Sequence, residues 1–338
     1  MKKAVLLGDR KAGIIDVPDP HPVKDWAVVK VHAAPMCTEY KAFASGGKAE
    51  FLGHEAAGEV VAVAQECAVK PGDRVVVMPL YPCGRCALCV AGDYIHCENG
   101  FDFAQFHGMP EGQATMAQYL VKPAWLLPAI PEGVSYDKAS LACCALGPSF
   151  GAFQSMGLTA FDTVLIAGAG PVGLGAVVNA RFRGARVIVA ESILYRVERA
   201  GQLGAAHVVD PNDPGTVARI KALTDGRGVD CALDCAGYVP AERLCIDATR
   251  RKGKVGFIGE CGDDLAVRVS PDLLRKGITI TGVWHYNLND FPKIMKVIRE
   301  SPVIDGLISH VLPMSRIQEA FELSASHQTA KVVLHPWE

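Results

Sequence analysis

Apolar residues along the chain fall into two textures, and the change comes near residue 150. Before it they form short β-rich runs broken by Gly and Pro. The Met1–Leu7 run stops at Gly8-Asp9-Arg10 and predicts a first strand, and Val28–His32, Gly58–Val63 and Asp73–Val77 predict three more. Between Pro79 and Gly112 turn formers dominate and periodicity is lost. That predicts a long loop, and loops of this length carry a function or a staple. Beyond residue 150, continuous apolar runs alternate with helical stretches: Thr163–Ala167, Arg186–Ala190, Ala206–Asp210, Val229–Asp234, Lys254–Ile258 and Ile278–Thr281. Strands apolar on both faces, with helices between them, predict a parallel doubly wound sheet. An amphipathic stretch at Ile294–Arg299, a helix around Ser315–Ser324 and a strand at Lys331–Leu334 close the chain.

A length of 338 residues suggests two domains at about 150 residues each. Such a chain buries about three-quarters of its surface and needs no disulfide staples. With 34 basic against 36 acidic residues it has no footprint for a phosphate backbone, so nucleic acid is not expected as a partner. No apolar run approaches the roughly 18 residues of a membrane span, and the first run is too short for a signal-peptide core. The expectation is a cytoplasmic protein with no membrane partner. In a reducing compartment the 12 cysteines read as metal ligands or small core residues.

Two motifs give that choice content. Gly168-Ala169-Gly170-Pro171-Val172-Gly173 lies between a predicted strand and a predicted helix. Its glycines permit a tight turn, close approach of a pyrophosphate to backbone, and close helix packing. The next strand ends in Glu191, where a carboxylate accepts hydrogen bonds from ribose hydroxyls and repels a 2′-phosphate. NAD is favoured over NADP, with Arg196 the nearby cation that bears on the choice. The second motif, Cys83, Cys86, Cys89 and Cys97, has the spacing C-x2-C-x2-C-x7-C inside the long loop. Four thiolates in a segment without its own core suit a closed tetrahedral structural zinc. An iron–sulfur cluster shares part of the spacing.

Gly53-His54-Glu55-Ala56-Ala57-Gly58 continues to Ala64 and Cys67 in the pattern G-H-E-x2-G-x5-G/A-x2-I/V/S/A/C, with Cys37 upstream. With the four-cysteine segment and the Gly-rich turn following in order, the whole chain resembles the zinc-dependent medium-chain alcohol and polyol dehydrogenases. The resemblance implies an α/β protein with a GroES-like, β-rich catalytic domain (1–151 and 289–338) and an inserted Rossmann NAD-binding domain (152–288). It also implies two zinc ions per chain. The catalytic one would be held by Cys37, His54 and one further ligand, with Glu55 behind them or exchanging onto the metal. Laid over Ala142–Ala152, the family pattern G-C-G-x-x-x-G-x-G-A gives Cys144 as that ligand, and a one-residue slip gives Cys143. The polyol branch's Glu before Pro does not apply, because Gly147 precedes Pro148.

Two departures bear on the chemistry. The usual C-G-S/T-D reads Cys37-Thr38-Glu39-Tyr40, so the hydroxyl that starts proton transfer is Thr38 if one residue is deleted, and the His that some members place five residues after the Cys is Ala42. Gly282–Asn287 resembles a segment of sorbitol-type enzymes in which an Arg-Tyr pair reaches substrate, with His285 in the Arg place and Tyr286 kept. The implied activity is hydride transfer between a secondary alcohol or ketone and NAD, by a homodimer or homotetramer joined through the Ile278–Gly282 edge. Sugar or amino-alcohol oxidation stays open, and a non-catalytic NAD-binding regulator is the rival from another class.

Overall fold

A computed structural model of the protein describes residues 1–338. The chain divides into two compact units. The first comprises Met1–Cys144, Asn287–Arg299 and Ile308–Glu338, and the second Ala145–Tyr286 and Glu300–Leu307. The sequence placed the first crossing at residue 151. It falls earlier because the Gly147–Met156 helix packs on the Pro171–Phe182 helix and on the Thr249–Phe257 strand of the second unit.

The first unit is built on the strand Trp26–Pro35, whose residues are nearly all buried. It pairs antiparallel with Ala56–Ala62, with Tyr119–Pro123 and, at its far end, with Lys331–His335. Arg74–Val77 extends the sheet beyond Ala56–Ala62, and Ile308–Pro313 runs parallel to Lys331–His335 at the other edge. A small sheet of Lys2–Gly8, Lys11–Asp16 and Lys48–Ala49 completes the β structure. Val29, Val31, Val60, Val75, Val77, Leu120, Val332 and Leu334 share one core with Phe43 and Phe321. Their alternation along short strands is the pattern visible in the sequence. The long loop from Pro79 to Gly112 contains two short helices, Ala87–Val90 and Phe103–His107.

The second unit has the doubly wound sheet expected. Its six strands are all parallel, in the order His207–Val209, Arg186–Ala190, Thr163–Ala167, Val229–Asp234, Thr249–Phe257 and Thr279–Gly282. The chain starts in the middle, at Thr163–Ala167, and winds to both sides. The order therefore reverses beside the Gly-rich turn, where ligands of such sheets bind. No helix of either unit is long and apolar enough to cross a membrane.

Gly58 shows how tightly the first sheet is drawn. It faces Val31 where the register between the two strands slips, and a β-carbon there would overlap the Lys30 carbonyl oxygen. The strands meet at a bulge that only glycine fits. Gly58→Ala is expected to lower the apparent unfolding free energy by about 2 kcal/mol or more, read from the urea midpoint. An unchanged midpoint would show that the strands part there without cost.

The C-terminal strand ends in a protonation-dependent clasp. His335 places Nε2 2.9 Å from Asp137 Oδ1 and Nδ1 3.2 Å from Glu338 Oε1, and a neutral imidazole donates to only one of them. Burial depresses its basicity, but Asp137 and then Glu338 outweigh that and hold the pKa above 6.5. Nearby His32 is shifted the opposite way, by burial and then by Lys30. Because the folded pKa of His335 is the raised one, its stabilisation is complete below about pH 6.5 and fades as pH rises through the folded value. The melting-temperature advantage of wild type over His335→Gln should therefore be larger near pH 6 than near pH 9, modest in size because the site is partly exposed. An equal advantage at both pH values would remove the clasp.

Candidate active site and metal centres

Two clusters of metal-binding side chains stand in the first unit. In each, every candidate ligand atom lies within 4.8 Å of the others. The first is Cys83, Cys86, Cys89 and Cys97. Cys86 and Cys89 have their sulfurs 3.5 Å apart, Cys83–Cys89 and Cys86–Cys97 are at 4.0 Å, and all pairs lie within 4.8 Å. Four sulfurs about 2.3 Å from one zinc stand about 3.8 Å apart, so the spacing fits a single tetrahedral ion. A multi-iron core would hold its thiols wider apart. Backbone N–H groups of Cys83, Cys86 and Asn99 point at these sulfurs. Such bonds favour the thiolate, and with those of Arg85 and Cys86 the Cys83 thiol is held down to about 6.

The second cluster is Cys37, His54, Glu55 and Cys144. Cys37 follows the Trp26–Pro35 strand and precedes the Glu39–Ala44 helix, while His54 and Glu55 lead into the Ala56–Ala62 strand. His54 Nε2 lies 3.2 Å from Cys144 Sγ, and its Nδ1 lies 2.9 Å from Glu39 Oε1. A carboxylate on Nδ1 fixes the ring and leaves Nε2 facing the thiols, the arrangement of a metal-binding histidine. Glu39 Oε2 also accepts the Cys37 N–H at 2.8 Å. Glu55, fully buried, accepts the Cys144 N–H at 3.1 Å and pairs with Lys331 Nζ at 2.6 Å.

The electrostatics of this cluster draw in positive charge. Hydrogen bonding from Cys144 holds the Cys37 thiol well below its usual range, with Lys331 and His54 assisting against burial. The same bond, with burial, pushes Cys144 up, so the two sulfurs share one proton. Burial alone would make His54 less basic, yet hydrogen bonds to Cys37 and Glu39 raise it to about 11. Burial pushes Glu55 up to about 7 against the pull of Lys331, and Glu55 in turn holds Lys331 above its usual value. Two sulfurs, an imidazole and a nearby carboxylate are the donors of an open zinc site.

The two neighbouring cysteines point in different directions. Cys143 Sγ points to the Val77 carbonyl at 3.4 Å in a fully buried position, whereas Cys144 joins the cluster. Thr38 occupies the N-cap of the Glu39–Ala44 helix, and its side chain makes no capping hydrogen bond. Two residues that work at this cluster were given no role by sequence: Glu39, displaced by one position from the usual Asp, and Lys331. The signal for the second was a lysine opening an otherwise apolar strand.

In the second unit the Gly-rich turn has the predicted form. A β-carbon at Gly173 would overlap the Gly168 carbonyl, so helix and turn pack at their closest approach. At Gly170 the same position is open, with the Arg196 guanidinium 3.9 Å beyond it. Pro171 then starts a helix whose N-terminus faces that space. Glu191 is buried at the end of its strand. Oε2 accepts the Ala169 N–H at 2.9 Å, Oε1 accepts those of Ser192 and Ile193, and Arg196 lies 4.0 Å from Oε2. Val172 lies in the first turn of the helix. This open cradle of amides at a helix start fits a dinucleotide pyrophosphate. His285 and Tyr286 are buried and stacked at 4.7 Å, packed against Gly147 and Gly151.

Comparison with known proteins agrees with this geometry. Residues 23–132 match the alcohol dehydrogenase GroES-like domain, and residues 171–300 match the zinc-binding dehydrogenase family. The chain is 31% identical to sorbitol dehydrogenase of Bacillus subtilis (strain 168), over 99% of its own length and 97% of the relative's. It is 31% identical to L-threonine 3-dehydrogenase of Symbiobacterium thermophilum, covering 91% and 90%. Among solved structures, an alcohol dehydrogenase from Thermus sp. ATN1 superposes with a TM-score of 0.89 at 26% identity over 99% of each chain. On these grounds the chain belongs to the zinc-dependent medium-chain dehydrogenases, as an oxidoreductase acting on CH–OH donors.

Proposed function

We propose that the protein moves a hydride between the secondary alcohol carbon of a polyol, sugar or similar hydroxylated molecule and NAD. The observation that carries this reading is the convergence of Cys37, His54, Glu55 and Cys144 on one point. Zinc, when bound, supplies Lewis acidity toward an alcohol oxygen, and NAD accepts the hydride. Cys37, His54 and Cys144 would hold the metal, and Glu39 aims His54 at it. Glu55, held by Lys331, stays close enough to exchange onto the ion. Thr38, next to Cys37 with a hydroxyl free of capping duty, would relay the proton that leaves the alcohol, accepting it as it passes its own proton on to the ribose hydroxyls of NAD. His285 and Tyr286 orient the substrate's hydroxyl groups. Cys83, Cys86, Cys89 and Cys97 would hold the second zinc as a structural ion.

For the cofactor, Gly168, Gly170, Pro171, Val172 and Gly173 form the pyrophosphate cradle. Glu191 takes the ribose hydroxyls and disfavours a 2′-phosphate, with Arg196 alongside. An amino-alcohol substrate is the second reading, favoured by the similarity to L-threonine 3-dehydrogenase. All twelve cysteines are free, in keeping with a cytoplasmic location.

The experiment is metal analysis with an activity screen. The purified protein should carry two zinc atoms per chain and reduce NAD with at least one member of a panel of polyols, sugars, diols and amino alcohols. Cys37→Ala and His54→Ala should each keep one zinc and NAD binding, while turnover falls at least about 10³-fold. Near-wild-type activity in either variant would overturn the catalytic-zinc assignment.

The Thr279–Gly282 strand is an edge of the parallel sheet, and Trp284 just beyond it is half exposed. We propose that two copies pair through this edge, as a homodimer or as half of a homotetramer. Gel filtration with light scattering at micromolar concentration should return two or four chains, and Thr281→Pro should reduce the assembly. A monomeric wild type would remove the proposal.

A further inference from the structure

The turn that follows the helix of the four-cysteine lobe, Ala91-Gly92-Asp93, is hydrogen-bonded along its length to a segment far away in sequence. Asn287 donates through Nδ2 to the Ala91 carbonyl at 2.8 Å and to Asp93 Oδ1 at 2.9 Å. Asn289 Nδ2 donates to the same Ala91 carbonyl at 3.3 Å, and the Leu288 N–H donates to the Gly92 carbonyl at 2.9 Å. The Asn287 side-chain oxygen accepts the Asn289 N–H at 3.0 Å, which fixes its amide orientation. Gly92 has φ +89°, and a β-carbon there would overlap Asn287 Oδ1. The lobe turn and Asn287 are therefore in direct contact, with no space for a side chain between them.

Two features make this contact more than local bracing. No residue of Leu288–Asp290 is buried, so the hydrogen bonds to the lobe, rather than core packing, fix the segment's position. The lobe turn is also continuous with the metal-binding cysteines. The N–H groups of Ala91, Gly92 and Asp93 bond to the carbonyls of Ala87, Cys89 and Leu88, so the turn keeps its shape only while the Cys89 helix is formed. Asn287 is where the chain re-enters the first unit, and the two residues before it are Tyr286 and His285.

We infer that Asn287 is a positioning residue for substrate recognition. It conveys the folded state of the four-cysteine lobe to the adjoining His285-Tyr286 pair, so that the lobe governs alcohol binding as well as stability. The inference rests on the substrate role proposed above for that pair.

Two measurements test it. Asn287→Asp removes both donors and sets a second carboxylate beside Asp93, and adding Asp93→Asn restores a donor–acceptor pair with the roles exchanged. For an alcohol from the screen, N287D should raise KM about tenfold. The kcat, the NADH affinity followed by fluorescence, and both zinc atoms should stay within about twofold of wild type. The double variant should recover part of the KM, since the bond between positions 287 and 93 returns while that to the Ala91 carbonyl does not. Unchanged KM, or a loss of kcat and zinc that the double variant does not restore, would overturn the inference.

The second measurement needs no turnover. Cys86→Ser, which costs the lobe its zinc, should speed hydrogen exchange of the Leu288 amide at least about tenfold while that of Val283 stays unchanged. If that chain is not soluble, Gly92→Ala, which displaces the turn and spares the thiols, takes its place. Unaltered protection at Leu288 would refute the coupling. A wild-type protein that oxidises no alcohol would instead sink the dehydrogenase reading and leave hydrogen exchange to decide the coupling.

Discussion

The Glu55–Lys331 pair is the constraint on which the candidate metal centre depends. It joins residues 276 positions apart at 2.6 Å, with both side chains withdrawn from water. Each partner touches segments that carry ligands. Glu55 follows His54 directly and binds the Cys144 N–H with its second oxygen. Lys331 opens a strand whose Val332 carbonyl accepts the Met36 N–H, one residue before Cys37. Three ligand-bearing segments, from three parts of the chain, thus share one fixed reference. Burying two charges costs several kcal/mol per ion, and an apolar pair of similar volume would join the strands at least as strongly. What the ions add is a fixed position: removing either one leaves a buried charge without a partner, so the cluster has a single geometry.

The pair also sets the charge of the site. Two thiols, Glu39 and Glu55 stand with Lys331 and His54 as their cationic neighbours. Lys331 opposes the burial that pushes Glu55 up, and it assists the Cys144 hydrogen bond that holds Cys37 down. Donors whose charge a buried lysine offsets in this way are suited to a divalent cation, whose binding releases the protons they still hold.

What the sequence made legible was what local spacing controls. The four-cysteine lobe could be read because its ligands lie within fifteen residues of one another, and the parallel sheet because strands covered on both faces are apolar throughout. Lys331 could not be assigned, since its partner is set by the return of the C-terminal strand, and no local pattern encodes that. Cys143 and Cys144 could not be separated, because they lie in an irregular turn where neither helical nor strand periodicity says which way a side chain points. Where the chain passes into the second unit is hard to read for a related reason. The Gly147–Met156 helix is buried almost all round, so its sequence has no polar face to show which core it joins.

Glu39 shows how a departure from a pattern can be absorbed without losing its function. In the motif the chain resembles, the acid stands three residues after the Cys, and here it stands two. The shorter link puts Glu39 at the first helical position and Thr38 at the N-cap with helical backbone angles. From there an aspartate would fall short. The extra methylene lets one carboxylate bind both the Cys37 N–H and His54 Nδ1. The Lys41 N–H bonds to the Thr38 carbonyl, and the Thr38 side chain makes no capping bond and is exposed. The shorter link from Cys37 to its acid thus goes with a hydroxyl beside Cys37 that has no capping role. A hydroxyl in that state suits the proton relay proposed above for Thr38, since it can give up its own proton as it accepts another.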